Sequence, residues 1–379
     1  MMKRICSRVP SVLCGKQNMM ICNGVTTTRS MFTCTNFLRA PPTELIKQLR
    51  AETDAPLGQV RKALEESDND IKKAKEWLRQ KGLQTAAKKS ARSTQEGIIG
   101  IQQNGNERGV LFEVNSETDF VINSDVFKGV VDECLDVLVK SKFEKNEYSV
   151  EQDEQSFNQQ VAENSALFEN GVSIKQKFTE LVAVLRENVK ARRVKFINNI
   201  DSSSQLVGYL HNSKTSKIGG VGAFVIVKAA PNSTKTAEQL QSAGRQIAMH
   251  ICGMGPNYLT KDQVPAEVLS HERELLIKRL EEQNMEEKKK AEEAGKEYKP
   301  KPQNILNMMI EGQLNKQFLA DHVLLLQPWV LDQKMSVQQF LKEEGIEVVD
   351  FIRMKVGEGM AYQAKKSFAE EVAEQVGQK

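Results

Sequence analysis

The sequence is poor in the side chains that most chemistry needs. Its 379 residues include four histidines, six cysteines and two tryptophans. His211, His250, His271 and His322 stand in no metal-ligand spacing with one another or with cysteine, so a tetrahedral zinc site is not encoded. His250 and Cys252 are two positions apart. On a helix that is ~200° of rotation, which points them to nearly opposite sides and excludes a Cys–His dyad; Cys252 reads as a small buried helix residue. Gly219-Gly220-Val221-Gly222 lacks the Gly-Lys-Ser/Thr of a phosphate loop and leads into a strand pattern. No carboxylate pair stands out. The chain is therefore expected to be no enzyme, to need no cofactor or metal, and to work by binding.

Long apolar runs are missing as well. No window approaches the ~20 apolar residues of a spanning helix, so no membrane partner is expected. Apolar residues at 40% and charged residues at 27% are the composition of a soluble globular protein with a sizeable core. Domains run to roughly 100–200 residues, so two or three are expected.

A third absence is local. No acidic residue precedes Glu44, while Lys3, Arg4, Arg8, Lys16, Arg29 and Arg39 supply six positive charges. The same stretch is rich in Ser, Thr and Asn, holds Cys6, Cys14, Cys22 and Cys34, and shows no compact apolar segment with a small-residue exit. Arg-rich, hydroxyl-rich and acid-free is the composition of a mitochondrial or plastid transit peptide, expected over residues 1–42; an uncleaved basic tail is the alternative. Cys134 and Cys252 then remain, which gives no disulfide framework and suits a reducing matrix. With the six leader charges removed, 47 basic residues face 50 acidic ones. A polyanion-binding fold keeps a basic excess, so no stable nucleic-acid partner is expected.

What is present has a clear order. From Thr43 the pattern is three short amphipathic helices. The first carries Leu45, Ile46 and Leu49 and ends in a loop from Thr53 to Gly58. The second carries Val60, Ala63 and Leu64. The third is capped by Asp70, carries Ile71, Ala74, Trp77 and Leu78, and is expected to stop at Gly82. Residues 83–96 read as a linker, within which Ala86–Arg92, carrying Lys88, Lys89 and Arg92, is either basic linker or helical extension. Gly97–Ile101 and Val110–Val114 then read as strands joined through Asn104-Gly105, a strong hairpin signal. A helix capped by Ser124 carries Phe127, Val130, Val131, Cys134, Leu135 and Leu138 at helical spacing. Residues 141–170 are polar, helical or loose. Another helix carries Ile174, Phe178, Leu181, Leu185 and Val189. Strands at Leu206–His211 and Val221–Val227, a loop at Pro231 and a helix ending near Cys252 repeat the hairpin–loop–helix order. A charged helix over 267–299 follows, ended by Pro300 and Pro302. Val337–Glu344, stopped by Gly345, and a strand at Phe351–Val356 close the pattern. The fold class expected is α+β: a three-helix module over 43–82, a core lobe over 97–190, and a second lobe over 191–368 with a charged helical insert at 267–302. A tail over 369–379 completes the chain.

Thr118-Asp119-Phe120-Val121 lies where a strand gives way to a loop. An acid beside an aromatic there is either presented outward as a contact knob, or Phe120 caps the local core while Asp119 bonds nearby amides. The residues around it do not decide between the two.

Several ordered segments resemble one family. Leu45–Arg50, Thr53, Lys62–Leu64, Asp70-Ile71 and the stretch Gly82–Lys89 resemble the ubiquitin-associated-like opening module of elongation factor Ts. Glu113-Val114-Asn115 followed by Thr118–Val121 is similar to that family's hallmark segment. Arg186-Glu187-Asn188, Arg192-Arg193-Val194, Ala248-Met249-His250, Gln327-Pro328, Phe351-Ile352-Arg353 and Val356–Gly359 follow in the same order. The resemblance runs from about Leu45 to about Phe368. It implies a guanine-nucleotide exchange factor that binds the GDP form of elongation factor Tu, displaces Mg²⁺ and promotes GTP reloading; with the leader, it implies the mitochondrial form and the matrix. It also implies that Asp119 and Phe120 enter the GTPase, with Thr118 and Val121 fixing the turn. Leu57 in the opening module and His211, Val330 and Leu331 in the second lobe are the further contact candidates. Two departures stand out: Glu52 replaces a residue that is often basic, and Leu57-Gly58 replaces a pair of methionines. The charged stretch Glu281–Pro302 stands where bacterial members can have a projecting coiled coil. The rival expectation is a ubiquitin-like or RNA- or ribosome-binding helical adaptor without exchange activity, resting on the three-helix opening and on Lys88, Lys89 and Arg92.

Overall fold

The structure is a computed structural model that describes residues 41–360 apart from 54, 91, 170, 200, 232 and 294–301. The expected leader up to residue 40 with its four cysteines, the tail over 369–379, and residues 294–301 of the charged insert lie outside the described residues.

Three helices open the described chain: α1 (Thr43–Thr53), α2 (Leu57–Glu66) and α3 (Ile71–Lys89). Ile46 and Leu49 from α1, Val60, Ala63 and Leu64 from α2, and Ala74 and Leu78 from α3 close a small apolar core. Asp70 caps α3 by accepting from the backbone N–H groups of Lys72 at 2.9 Å and Lys73 at 3.2 Å. Two expectations fail here. Leu57-Gly58 is not loop but the first turn of α2, and Gly82 does not end α3. Gly82 is buried inside a helix that continues to Lys89. A Cβ there would stand 3.2 Å from the Ala183 methyl, so this glycine marks a close crossing with another helix. Half of the expected linker is thus helix, and Ala86 packs against the core of the first lobe.

That lobe contains β1 (Glu96–Asn104), β2 (Arg108–Ser116), α4 (Asp119–Asn123), α5 (Asp125–Lys140), β3 (Glu147–Ser149), α6 (Val150–Phe157), α7 (Ile174–Leu185) and β4 (Val189–Asn198). The second contains β5 (Ser204–His211), β6 (Ile218–Gly219), β7 (Val221–Ala229), α8 (Ala237–Met254), α9 (Ala266–Glu293), α10 (Gln303–Gln313), α11 (Ala320–His322), α12 (Val337–Glu344) and β8 (Ile346–Lys355). Strands β3-β4-β2-β1-β6 form one antiparallel sheet and β5-β7-β8 another. β4 pairs with β2 along its whole length, so a lobe boundary at residue 190 would cut a central strand; the boundary falls after Asn198. Val189 accordingly belongs to β4 and not to the preceding helix, which ends at Arg186 in the left-handed region, φ 59°.

The period-2 alternation of the strands builds the layers. Ile98, Val110, Phe112, Val114, Val194 and Phe196 face α5 and α7. Their neighbours Ile99, Leu111 and Ile197 face the second sheet and meet Leu206, Phe224, Ile226 and Met354. The far side of the second sheet, with Val207, Ala223, Val225 and Val227, is covered by Leu240, Ile247 and Ile251 of α8. The result is helix, sheet, sheet, helix. Phe224 sits at its centre, and a Cβ on Gly109 or Gly208 would stand 2.8 or 2.7 Å from its ring; glycine there lets the sheets close.

One polar cluster seals the edge of that seam. Glu113 is fully buried, and a bulge in β4 between the partners of Glu113 and Val114 turns both Arg192 and Arg193 toward it. Arg192 Nη1 donates to both Glu113 oxygens, at 2.9 and 2.8 Å, and Arg193 Nε also donates to Glu113. Gly357 N–H adds a third donor at 2.8 Å. Arg193 Nη2 reaches the Lys355 carbonyl at 2.7 Å, and Arg353 Nη1 reaches Glu358 at 2.6 Å. Three segments singled out far apart in the sequence meet here.

In the insert, α9 ends its described part at Glu293, and Pro302, expected only as a stop, is the N-cap of α10. Leu276 and Leu280 of α9 pack against Ile310 and Leu314. The chain here is therefore a helical pair, where the sequence pattern showed a single charged helix.

Candidate partner-binding site

The segment Thr118–Val121 leaves the end of β2. The ladder to β4 stops at Ser116 opposite Val189. Thr118 is extended, at φ −130° and ψ 161°, and the next five residues make the single turn of α4. Helical spacing divides that turn. Val121 and Ile122 are buried in the first-lobe core, while Asp119 and Asn123 point to solvent and Phe120 is 81% exposed. The outward knob is therefore the arrangement present, and the reading in which Phe120 caps the local core is not. Asn123 Nδ2 donates to the Asp119 carbonyl at 2.9 Å. Among the described residues nothing pairs with the Asp119 carboxylate. Ser124 caps α5, its Oγ accepting from Phe127 N–H at 3.3 Å, so the knob is pinned on its far side to a long helix.

Its near side is held by a second chain segment. Thr118 N–H donates to Glu187 Oε2 at 3.1 Å, and Thr118 Oγ1 donates to the same carboxylate at 2.8 Å. The Thr118 carbonyl accepts from Ser116 Oγ at 2.8 Å. In return, Glu117 Oε1 accepts from Asn188 N–H at 2.6 Å. Each glutamate thus takes the backbone N–H that follows the other glutamate. The tail behind α3 joins the same place: Arg92 Nη1 lies 3.3 Å from Glu117 Oε2, and Asn188 Nδ2 donates to the Arg92 carbonyl at 3.0 Å. Lys190 Nζ donates to the Ser90 carbonyl at 2.5 Å, and Lys89 Nζ reaches the Arg186 carbonyl. From the second lobe, Lys214 Nζ donates to Asn123 Oδ1 at 3.0 Å.

The other candidates lie apart. Leu57 is 43% exposed at the start of α2. His211 is exposed at the end of β5. Val330 and Leu331, 40% and 62% exposed, share the loop between α11 and α12. No hydrogen bond or ring contact among the described residues joins His211 to that loop. The loop itself is held from within. Buried His250 stacks on Trp329 at 5.0 Å, and Trp329 stacks on Phe340 at 4.1 Å. Val330 N–H donates to His250 Nδ1 at 3.2 Å, so the ring proton belongs on Nε2, which lies 2.9 Å from Gln327 Oε1. Burial holds the imidazole below its ordinary 6.5, against the opposing Gln327 hydrogen bond.

Glu117, Glu187 and Asn188 in the first lobe, and His250 with Gln327 in the second, carry the geometry, and residue chemistry alone assigned them no role. The only signal was the place of Glu187, Asn188, His250 and Gln327 inside segments shared with a known family, and that of Glu117 directly before Thr118. Cys134 and Cys252 are free and buried, and burial pushes both thiols up to about 12, which makes them inert at neutral pH. Glu52, the acidic departure in the opening module, bridges α1 to α3 by pairing with Lys75 at 2.5 Å. Among the described residues no group of three or more His, Cys, Asp or Glu is placed to hold a metal ion, and no helix is long and apolar enough to cross a membrane.

The family model described as elongation factor TS matches residues 117–358. The chain is 33% identical over 331 residues to the elongation factor Ts of Cereibacter sphaeroides, an alignment that covers 87% of this chain and 97% of that relative. The family match opens at Glu117, in the clasp behind Phe120, and closes at Glu358, in the polar cluster at the seam.

Proposed function

The chain belongs to the elongation factor Ts family, and on that premise we propose that it is the guanine-nucleotide exchange factor of mitochondrial elongation factor Tu, acting in translation elongation through Phe120. The observation that carries the proposal is the knob: a large apolar ring held outside the core at 81% exposure on a turn fixed from both sides. An apolar side chain left in water forgoes roughly 25 cal/mol for each Å² that burial would remove. A rigidly presented one is suited to recover that free energy in a partner's crevice.

GDP in such a GTPase is held by a phosphate loop and by Mg²⁺ bridging its phosphate oxygens. Mg²⁺ demands near-ideal octahedral geometry at ~2.0–2.1 Å, so a small displacement of its supporting groups weakens it sharply. This chain needs no chemistry of its own to exploit that. Phe120 enters as a wedge, and Asp119, whose carboxylate is free among the described residues, supplies a hydrogen-bonding or electrostatic companion. Thr118 and Val121 fix the turn from the clasp and from the core. The opening module, ubiquitin-associated-like by the resemblance of Leu45–Arg50, Lys62–Leu64 and Asp70-Ile71 to the family's own, offers Leu57. The second lobe offers His211, Val330 and Leu331 to a separate part of the GTPase, and binding there offsets the local strain. Linkage makes the effect reciprocal: the factor by which this chain weakens GDP is the factor by which GDP weakens this chain. The acid-free leader with six positive charges supports a matrix location.

Stopped-flow release of labelled GDP from mitochondrial elongation factor Tu tests the proposal. Phe120→Ala is expected to lower the maximal release rate by roughly tenfold or more, ~1.4 kcal/mol of lost stabilisation, with thermal unfolding unchanged because the ring supports nothing in the free fold. Wild-type GDP release by the Phe120→Ala, Asp119→Ala double variant removes the assignment.

A further inference from the structure

We propose that Glu187, acting with Glu117, is a positioning residue for exchange: a reciprocal carboxylate clasp that sets the angle of the Phe120 turn and ties it to the tail of the opening module. The inference rests on the reading of Phe120 given above and adds residues that lie behind the knob.

The argument starts from what a single helical turn can hold by itself. α4 spans five residues, and one turn fixes several backbone dihedrals for very few internal hydrogen bonds. Val121 and Ile122 anchor it from below, but two apolar side chains leave rotation about the incoming backbone free. Thr118 is the residue whose dihedrals set that rotation, and all three of its polar groups are taken. Its N–H and hydroxyl go to Glu187, and its carbonyl goes to Ser116. The bonds to Glu187 are charge-assisted, about twice as strong as neutral ones. Glu187 is itself held in place because it follows the left-handed residue Arg186 and precedes Asn188, whose N–H is bound by Glu117.

Glu117, Thr118 and Glu187 are half-buried, while their partners Asn188 and Ser116 are buried, so the clasp fixes direction at the edge of the first-lobe core. It also gathers three elements at the root of the knob: the end of β2, the turn from α7 into β4, and the tail behind α3 through Arg92. A change in the opening module therefore reaches the knob through Glu117 and Asn188 without crossing the core.

The test is the concentration dependence of GDP release from elongation factor Tu, read with the full chain and its variants. Glu187→Ala and Thr118→Val are expected to lower the maximal release rate roughly tenfold, the loss of ~1.4 kcal/mol that a misdirected Phe120 would bring. The half-saturating concentration should hold within about twofold, because the docking surfaces are intact. Glu187→Gln, whose carbonyl can accept from Thr118 N–H while its amide donates to Thr118 Oγ1, should recover most of the rate. A wild-type maximal rate in Glu187→Ala, beside a slow Phe120→Ala, overturns the positioning role and leaves the reading of Phe120 standing; a wild-type rate in Phe120→Ala overturns that reading itself. A rise in the half-saturating concentration at constant maximal rate also overturns the inference, since it makes Glu187 a direct contact. If Glu187→Ala lowers the melting temperature, Thr118→Val decides, and its wild-type rate would sink the proposal.

Discussion

In the first lobe Phe120 stands on a turn fixed by carboxylates at the surface, whereas in the second lobe Val330 and Leu331 stand on a loop fixed by a neutral imidazole inside the core. Both devices hold apolar side chains out in solvent. They differ in what they cost and in what disturbs them. The surface clasp exchanges water for charge-assisted bonds at half-buried Glu117, Thr118 and Glu187, and only Asn188 and Ser116 among its members are buried. The loop depends on His250 and Gln327, both fully buried, each of which is stranded if the other is lost. In the proposed function both serve contact with a partner, the knob through a root that sets its direction and the loop through one that sets its depth.

The seam between the sheets supports both regions, and removing it is the most severe way to break the contrast. Glu113→Ala takes the shared partner from buried Arg192 and Arg193, which keep Glu151 and Glu358 as counter-charges, and up to about 3–5 kcal/mol of stability should be lost, the cost of breaking a buried ion pair. Urea unfolding would show it as a fall in midpoint common to both lobes; a loss confined to one lobe would show that the cluster serves that lobe alone.

Gln327→Ala acts on one side only. It strands the His250 Nε2–H, and about 1–3 kcal/mol should go with it. Amide exchange at Val330 and Leu331 should speed up while Thr118 keeps its protection. Equal loosening at both places would refute the separation drawn here.

Acid gives the smallest and most selective effect. The folded His250 sits below its ordinary 6.5, so as pH falls under about 6.5 the unfolded chain takes up a proton before the folded one does. Stability from this group is therefore full above that pH and drains away toward the lower folded value, at up to ~1.4 kcal/mol per pH unit. Comparing the pH slope of unfolding in wild type and in His250→Gln isolates it, and identical slopes would mean that His250 does not contribute. The first-lobe clasp contains no histidine, and GDP release limited by Phe120 should not follow this slope.

Much of the local structure was legible because its causes lie within a few residues. Asp70, Ser124 and Gly345 cap or stop helices where their chemistry says they should. Asn104-Gly105 closes the first hairpin with Gly105 at φ 53°. Gly82 shows the limit of such reasoning. The same residue type that ends a helix by a left-handed turn also lets two helices touch, and only the presence of Ala183, a hundred positions away, decides which. The placement of β4 failed for the same reason: strand character is local, but the partner that assigns a strand to a sheet is not. At the site, Thr118–Val121 stood out as an acid–aromatic pair at a strand end. Glu187 and His250 stood out only as parts of family segments, because a glutamate before an asparagine and a histidine in a helix carry no chemistry until their partners are placed.

Composition and spacing by themselves carried the acid-free stretch before Glu44, the helical and strand periods, and the ordered segments that mark the family. Those are properties of neighbours along the chain. Whether Phe120 faced the core or the solvent, which carboxylate gripped its turn, and how three distant motifs came to share one buried glutamate were decided only when the sheets packed. The physical reason is that such bonds join residues roughly seventy or more positions apart. Their free energy depends on the desolvation and direction that the packed layers impose, which no run of adjacent residues can encode.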